Sequence, residues 1–241
     1  MRHDGPLSEW RGLRFQPATA LSGRYARLER LRVEDHAEAI HRANLADHGI
    51  WRFLPYGPFP SLDAYAAWAI QAEASDDPAF YAVRDVAGTW SGVASLMRID
   101  RANGVIEIGH INYAIALQRT RTATEALHLM MDHAFAAGFR RLEWKCNAQN
   151  AASRRAALRL GFTYEGTFRQ HMVVKGANRD TAWFAITDGD WPAIKRAHLD
   201  WLHPDNFDGE RQRMSLSDRV GAVTGGGVAG VDGAGFGPAD G

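Results

Sequence analysis

The chain is expected to adopt an α+β (α/β three-layer) fold, built on a mixed, mostly antiparallel sheet that contains one parallel pair of strands. Three observations predict it. Segments 80–84, 91–99 and 105–115 are β-rich runs separated by turns at Ala87-Gly88 and Asn103-Gly104, the signature of an antiparallel meander. Leu127, Met130, Met131, Ala134 and Phe135 then recur at helical spacing before the strand-like run 142–146, and a strand–helix–strand crossover of that length makes its two strands parallel neighbours. Further helical patterns at 34–45 and 151–160 supply cover for the sheet.

Residues 1–22 show no periodicity and are expected to form a loose N-terminal arm; the ordered domain is expected to span 23–204, starting with alternation over 25–31. After the first helix comes an aromatic, Pro-stiffened loop, Trp51-Arg52-Phe53-Leu54-Pro55-Tyr56-Gly57-Pro58-Phe59-Pro60, and Ser61 is placed to cap a second helix. Gly138 and Gly161 provide C-terminal stops for the helices that precede them. Strands at 163–174 and 181–186, and a helix begun by Asp190 and Pro192 and running to about His203, complete the pattern. Residues 205–241 are expected to be a Gly-rich flexible tail, since nine of the 21 positions from Gly221 to Gly241 are Gly.

With 241 residues, 46% hydrophobic and 23% charged, the chain can build one sizeable core. Lys+Arg and Asp+Glu both number 28, so no overall field favours nucleic acid or an anionic membrane. No run approaches the roughly 18 apolar residues of a membrane span, and the first twenty residues contain no apolar stretch of the secretory kind. One cysteine, Cys146, excludes an internal disulfide framework. A cytoplasmic protein is expected, without nucleic-acid or membrane partners.

Chemistry concentrates where the strand Glu107-Ile108-Gly109-His110-Ile111-Asn112-Tyr113-Ala114-Ile115 runs into Gln118-Arg119-Thr120-Arg121-Thr122-Ala123 and a helix start. Unpaired N–H groups of a first helical turn, with cations beside them, suit a pyrophosphate; the competing reading is a solvated basic turn. A second unit follows, with Asn150-Ala151-Ala152-Ser153 and then Leu160-Gly161-Phe162. In order and spacing these motifs resemble the GNAT acetyltransferase superfamily over about residues 23–195. The branch they most resemble contains ribosomal-protein alanine and serine N-terminal acetyltransferases.

The resemblance implies the GNAT acyl-CoA fold with its parallel pair splayed at a cofactor cleft, and acetyl-CoA as co-substrate. The family's phosphate-binding turn reads Gln/Arg-x-x-Gly-x-Gly/Ala; Gln118 and Ala123 match, while Arg121 stands at the usual Gly, and Arg119 or Arg121 could offset the loss through guanidinium–phosphate hydrogen bonds. The resemblance also assigns Asn150 and Ser153 to the pantetheine arm and thioester sulfur, although both residue types equally serve a helix start. It places backbone N–H groups of Ile115 to Leu117 as donors to the thioester oxygen. Where many relatives carry a tyrosine acid this chain has Ala157, and Ser153 is assigned to the leaving thiolate.

Glu107 matches the general-base glutamate of histone-acetylating members, and its other reading is a buried partner of an arginine. His110 has suitable base chemistry but lies on the opposite face of an ideal strand, a parity that a bulge would change. Trp51, Phe53 and Tyr56, with Tyr113 and Trp183, are expected to line the acceptor pocket. The hairpin from Phe168 to Thr181 reads either as a solvated turn or as part of acceptor recognition. No metal site is indicated, since His128 and His133 miss the i, i+4 spacing. Gly225 to Gly230 match a dinucleotide pattern but too few residues follow to complete such a unit. The expected activity is direct acetyl transfer to a primary amine of a small molecule or a protein N-terminus, with a homodimer as the family's habit; the alternative is a non-catalytic acyl-CoA-sensing module.

Overall fold

The computed structural model describes residues 7–209 and 211–224. Strands β1 (Ala20–Ser22) and β2 (Ala26–Arg30) form an antiparallel pair, followed by helices α1 (Val33–Asn44) and α2 (Leu62–Glu73). The meander β3 (Ala79–Asp85), β4 (Trp90–Asp100) and β5 (Val105–Tyr113) leads into α3 (Arg121–Ala136), β6 (Arg141–Asn147) and α4 (Ala151–Arg159). The long hairpin β7 (Thr163–Val174) and β8 (Ala177–Thr187) precedes α5 (Trp191–Leu202), the short pair β9 (Phe207–Asp208) and β10 (Arg211–Gln212), and α6 (Leu216–Thr224). One sheet of eight strands has the order β1-β2-β3-β4-β5-β6-β8-β7, in which β5–β6 is parallel and the other pairings are antiparallel.

Local signals made these elements where the sequence placed them. Ser61 Oγ accepts from Ala64 N, Asn150 Oδ1 accepts from Ser153 N, and Gly138 and Gly161 take left-handed φ values of +94° and +95° just past α3 and α4. Alternation along β3 divides the core. Phe80 and Ala82 pack beneath α1 and α2 with Leu31, Ile40, Tyr65 and Val93, while Tyr81 and Val83 face the layer of α3 and α5 with Leu28, Leu96, Met130 and Met131.

Both expected ends of the domain differ from the structure. Within the supposed arm, Leu13 N donates to Arg101 O at 2.9 Å, Phe15 is buried against Phe139, and Ala20–Ser22 adds a strand. Within the supposed tail, Leu216 and Val220 of α6 are buried in the main core, Phe207 packs on Trp201, and the side chain of Asn206 bonds Trp201 O and the main chain of Met214. These segments carry isolated apolar anchors rather than a periodic pattern, so burial comes from surfaces supplied by distant chain. Residues 1–6 and the Gly-rich run 225–241, including Gly225 to Gly230, lie outside the described residues. Among the described residues no helix is long and apolar enough to cross a membrane.

Two histidines join α3 to α5. His128 Nδ1 and His198 Nδ1 are 3.3 Å apart, and His198 Nε2–H donates to Leu160 O at 3.0 Å, so His198 is neutral and its Nδ1 accepts from His128 Nδ1–H. Burial holds both pKa values below the ordinary histidine range. The unfolded chain therefore binds more protons than the folded one once the pH drops below about 6.5. Stability should be flat from pH 8 to 7 and then fall by up to about 2.7 kcal/mol per pH unit for the two together. Urea midpoints measured between pH 8 and 5 check this, and a His198→Gln variant should show the shallower slope.

Candidate active site

Pairing between β5 and β6 covers only Val105↔Arg141, Ile106↔Leu142 and Glu107↔Glu143, after which the two strands diverge although both continue. The resulting V has two sides. Leu142, Trp144 and Cys146 of β6 face the core with α4, where Trp144 Nε1–H donates to Ser153 Oγ at 3.0 Å and burial raises the Cys146 thiol pKa. Glu143 and Lys145, alternating with them, face the side of α1 and α2.

A bulge decides what β5 presents to that second side. Against β4 the register runs Ser95↔Gly109 and then Val93↔Asn112, so His110 and Ile111 together oppose Ala94, and His110 takes φ +51°. Parity therefore reverses after Gly109. His110, expected opposite to Glu107, shares its face and lies against Phe80 and Tyr56, whose hydroxyl is 3.2 Å from His110 Nδ1. Tyr113, expected in the acceptor pocket, instead turns into the main core against Leu117 and the close face of Gly92.

Glu107 is 5% exposed, with Oε2 3.1 Å from both Arg98 Nε and Lys145 Nζ. Lys145 also pairs with Glu143 at 2.6 Å and lies 4.0 Å over the Trp183 ring; Arg141 bridges Glu143 to Glu165. Burial raises the Glu107 pKa, against the opposing pull of Lys145 and Arg98. Burial, assisted by Arg98 and Arg179, lowers that of His110 to about 4, so its ring is neutral at physiological pH. Arg98 is aimed by a second irregularity in β4, where Asp77 accepts from Arg98 N and Ile99 N and Arg98 takes φ +48°.

The aromatic loop divides its residues between packing and site. Trp51 is buried in the core beneath α1 and α2, and Gly57, at φ +66°, passes so close to its indole that a Cβ would sit 2.5 Å away. Phe53 stacks with Arg52. Of the loop residues expected at the acceptor, Tyr56 is the one that touches His110. Trp183 is half-buried beside Phe168 and His171 of the hairpin, and the hairpin tip reaches the loop, Lys175 Nζ donating to Trp51 O at 2.9 Å.

At the turn, Gln118 Nε2–H donates to Tyr113 O, Arg119 takes φ +64°, and Thr120 caps α3 by accepting from Ala123 N at 3.0 Å. Leu117 is buried and its N–H is committed to Ala114 O, which removes it as an oxyanion donor; Ile115 is half exposed beside the splay. Thr122 Oγ1 donates to Tyr25 O. Arg121, expected as a phosphate ligand, lies with its guanidinium 5.1 Å over the Tyr25 ring and 4.6 Å over that of Phe207, because the segment after α5 folds back here. Sequence reasoning missed Arg98, Lys145 and Arg179, whose partners come from distant strands. It also missed Glu125, whose carboxylate accepts from Arg24 N, Tyr25 N and Ala26 N. Among the described residues no three His, Cys, Asp or Glu side chains gather as a metal site.

Residues 26–163 match the model described as an acetyltransferase (GNAT) domain. A GCN5-related N-acetyltransferase from Brucella melitensis is 44% identical, with a TM-score of 0.86 over 89% of this chain and 99% of its own. A probable GNAT-family acetyltransferase from Chromobacterium violaceum is 42% identical, with a TM-score of 0.74 over 80% and 98%. The fold is also that of Mycobacterium smegmatis RimJ in complex with CoA-disulfide, at 22% identity and a TM-score of 0.60 over 85% and 93%. No curated protein matches. A sheet splayed after a single short parallel ladder, a capped helix start at its mouth and these likenesses lead to one assignment: the chain belongs to the GNAT acetyltransferase family.

Proposed function

We propose that the protein is an acetyl-CoA-dependent N-acetyltransferase that acylates a primary amine directly. The observation that carries this reading is the bulge at His110, which gathers a neutral imidazole, the Glu107 carboxylate and the Tyr56 hydroxyl on one face beside the β5–β6 splay.

The chain's groups fit acetyl-CoA. The first turn of α3, begun by left-handed Arg119 and capped by Thr120, offers backbone N–H groups to a pyrophosphate, and the Ile115 and Ala116 amides border the splay. Asn150 and Ser153 stand on the α4 side, for the pantetheine arm and the sulfur. Ser153 Oγ already accepts from Trp144 and so has its own hydrogen to give to a departing thiolate. Acetyl-CoA would supply the acetyl group as an activated thioester. His110 takes the proton released by the acceptor nitrogen: with Nδ1–H donated to the Tyr56 oxygen, the Nε2 lone pair is left to accept. Glu107, fixed by two cations, sets the local charge and orients Arg98.

Calorimetric titration with acetyl-CoA tests the cofactor assignment. Wild type should bind saturably, and Arg119→Glu, which places a carboxylate at the anion site, should weaken binding at least about tenfold. Absence of binding by a folded wild type would overturn the proposal; binding without turnover over a broad amine panel would favour the acyl-CoA-sensing module.

A further inference from the structure

The acceptor face holds more positive charge than its carboxylates neutralise. Arg98 pairs with Glu107, Lys145 with Glu143, and Arg141 with Glu165. Arg179 is left over. It lies on β8 two alternations before Trp183, on the same side as Lys145, and its Nε is buried with no hydrogen-bond partner among the described residues. Among those residues it forms no ion pair, yet its charge is felt at His110, Glu107 and Cys146. A half-buried guanidinium without a partner is costly unless something supplies one.

We propose that the acceptor is an amine carrying its own carboxylate, and that Arg179, flanked by Arg98, receives that carboxylate while the amino group lies at His110. This inference rests on the acetyltransferase reading above and narrows it. The charge balance selects the class. To attack, the amine must be neutral, and a neutral amine with one carboxylate brings a single negative charge to Arg179, which has no carboxylate partner among the described residues. A simple alkylammonium would bring a second positive charge to Arg179, whose neighbours Arg98 and Lys145 already occupy the Glu107 and Glu143 carboxylates. Guanidinium geometry also favours a carboxylate, which can take two parallel N–H···O bonds.

The rim favours a small acceptor. Tyr56 touches His110 on β5, its loop meets the hairpin tip through Lys175 and Trp51, and the hairpin returns through Phe168 and Trp183 to Lys145 on β6. These contacts place the aromatic loop and the hairpin beside the face, which suits a free amino acid better than a protein N-terminus that must trail its chain outward.

The test measures kcat/KM at saturating acetyl-CoA, by release of the CoA thiol, for the twenty L-α-amino acids, β-alanine and 4-aminobenzoate, each against its carboxamide. Spermidine and phenethylamine serve as carboxylate-free amines. At least one acid should exceed its amide by about 10- to 100-fold in the wild type, the range of one lost charge-assisted hydrogen bond. Arg179→Gln should erase that preference by raising KM for the acid alone, and Arg179→Lys should restore part of it, with melting temperatures showing that both variants fold. An amide used as well as its acid, or a preference that survives in Arg179→Gln, overturns the proposal. Turnover of carboxylate-free amines but no acid overturns it while leaving acetyl transfer intact; turnover of no amine sinks both.

Discussion

Replacing His110 by Ala should lower kcat/KM by about 10²-fold or more with the fold preserved, the usual scale for a lost general base. The reason is positional. His110 stands on the Glu107 face, proposed to receive the acceptor, because the chain bulges there, with its Nδ1 at 3.2 Å from the Tyr56 hydroxyl and its ring stacked on the Tyr56 ring at 5.5 Å. Glu107→Gln should cost less than His110→Ala, since the Glu107 carboxylate is already held by Arg98 and Lys145. The reverse order would reassign the base to Glu107. The pH profile gives an independent reading. A base works in its deprotonated form, and burial with Arg98 and Arg179 lowers the His110 pKa to about 4. The kcat should therefore hold from pH 8 to about 5, where an unperturbed histidine would already have lost most of its free base. Steady-state kinetics of both variants, with melting curves as controls, check the assignment.

Glu125→Ala should destabilise the protein by about 3–5 kcal/mol, the largest single loss of stability expected outside the apolar core. From the second turn of α3, the buried Glu125 carboxylate accepts from Arg24 N at 3.0 Å, Tyr25 N at 2.5 Å and Ala26 N at 2.7 Å, so truncation strands three main-chain donors at the start of β2. A hydrogen bond to a charged group contributes about 1.5–3 kcal/mol, and partial rehydration of Arg24 and Tyr25 keeps the total below three full bonds. The effect should reach the cofactor. Tyr25 O accepts from Thr122 and the Tyr25 ring supports Arg121, so the same residue that closes β2 onto α3 steadies the turn proposed to bind the pyrophosphate. Urea denaturation should show the loss, and calorimetry on the folded fraction should show weaker acetyl-CoA binding. A variant as stable as the wild type would mean that the three amides find water without penalty.

The sequence by itself determined the elements and their order, because those depend on interactions a few residues long. Caps at Ser61 and Asn150, glycine stops at 138 and 161, and the 3.6-residue spacing of α3 are local, and the α3 crossover makes β5 and β6 parallel. The turn and the Asn150–Ser153 unit were legible for the same reason. Tertiary structure alone decided which faces these residues meet. One extra residue in β5 moved His110 to the Glu107 face and Tyr113 to the core, and nothing in the alternation of 105–113 marks a bulge whose cause lies in pairing with β4. Arg121, expected at the phosphate, lies over the rings of Tyr25 and Phe207, residues 96 positions before it and 86 after it. Arg98, Lys145, Arg179 and Glu125 acquire meaning only through partners from other strands, since a charge in a sequence has a sign but no distance, and electrostatic energy depends on both.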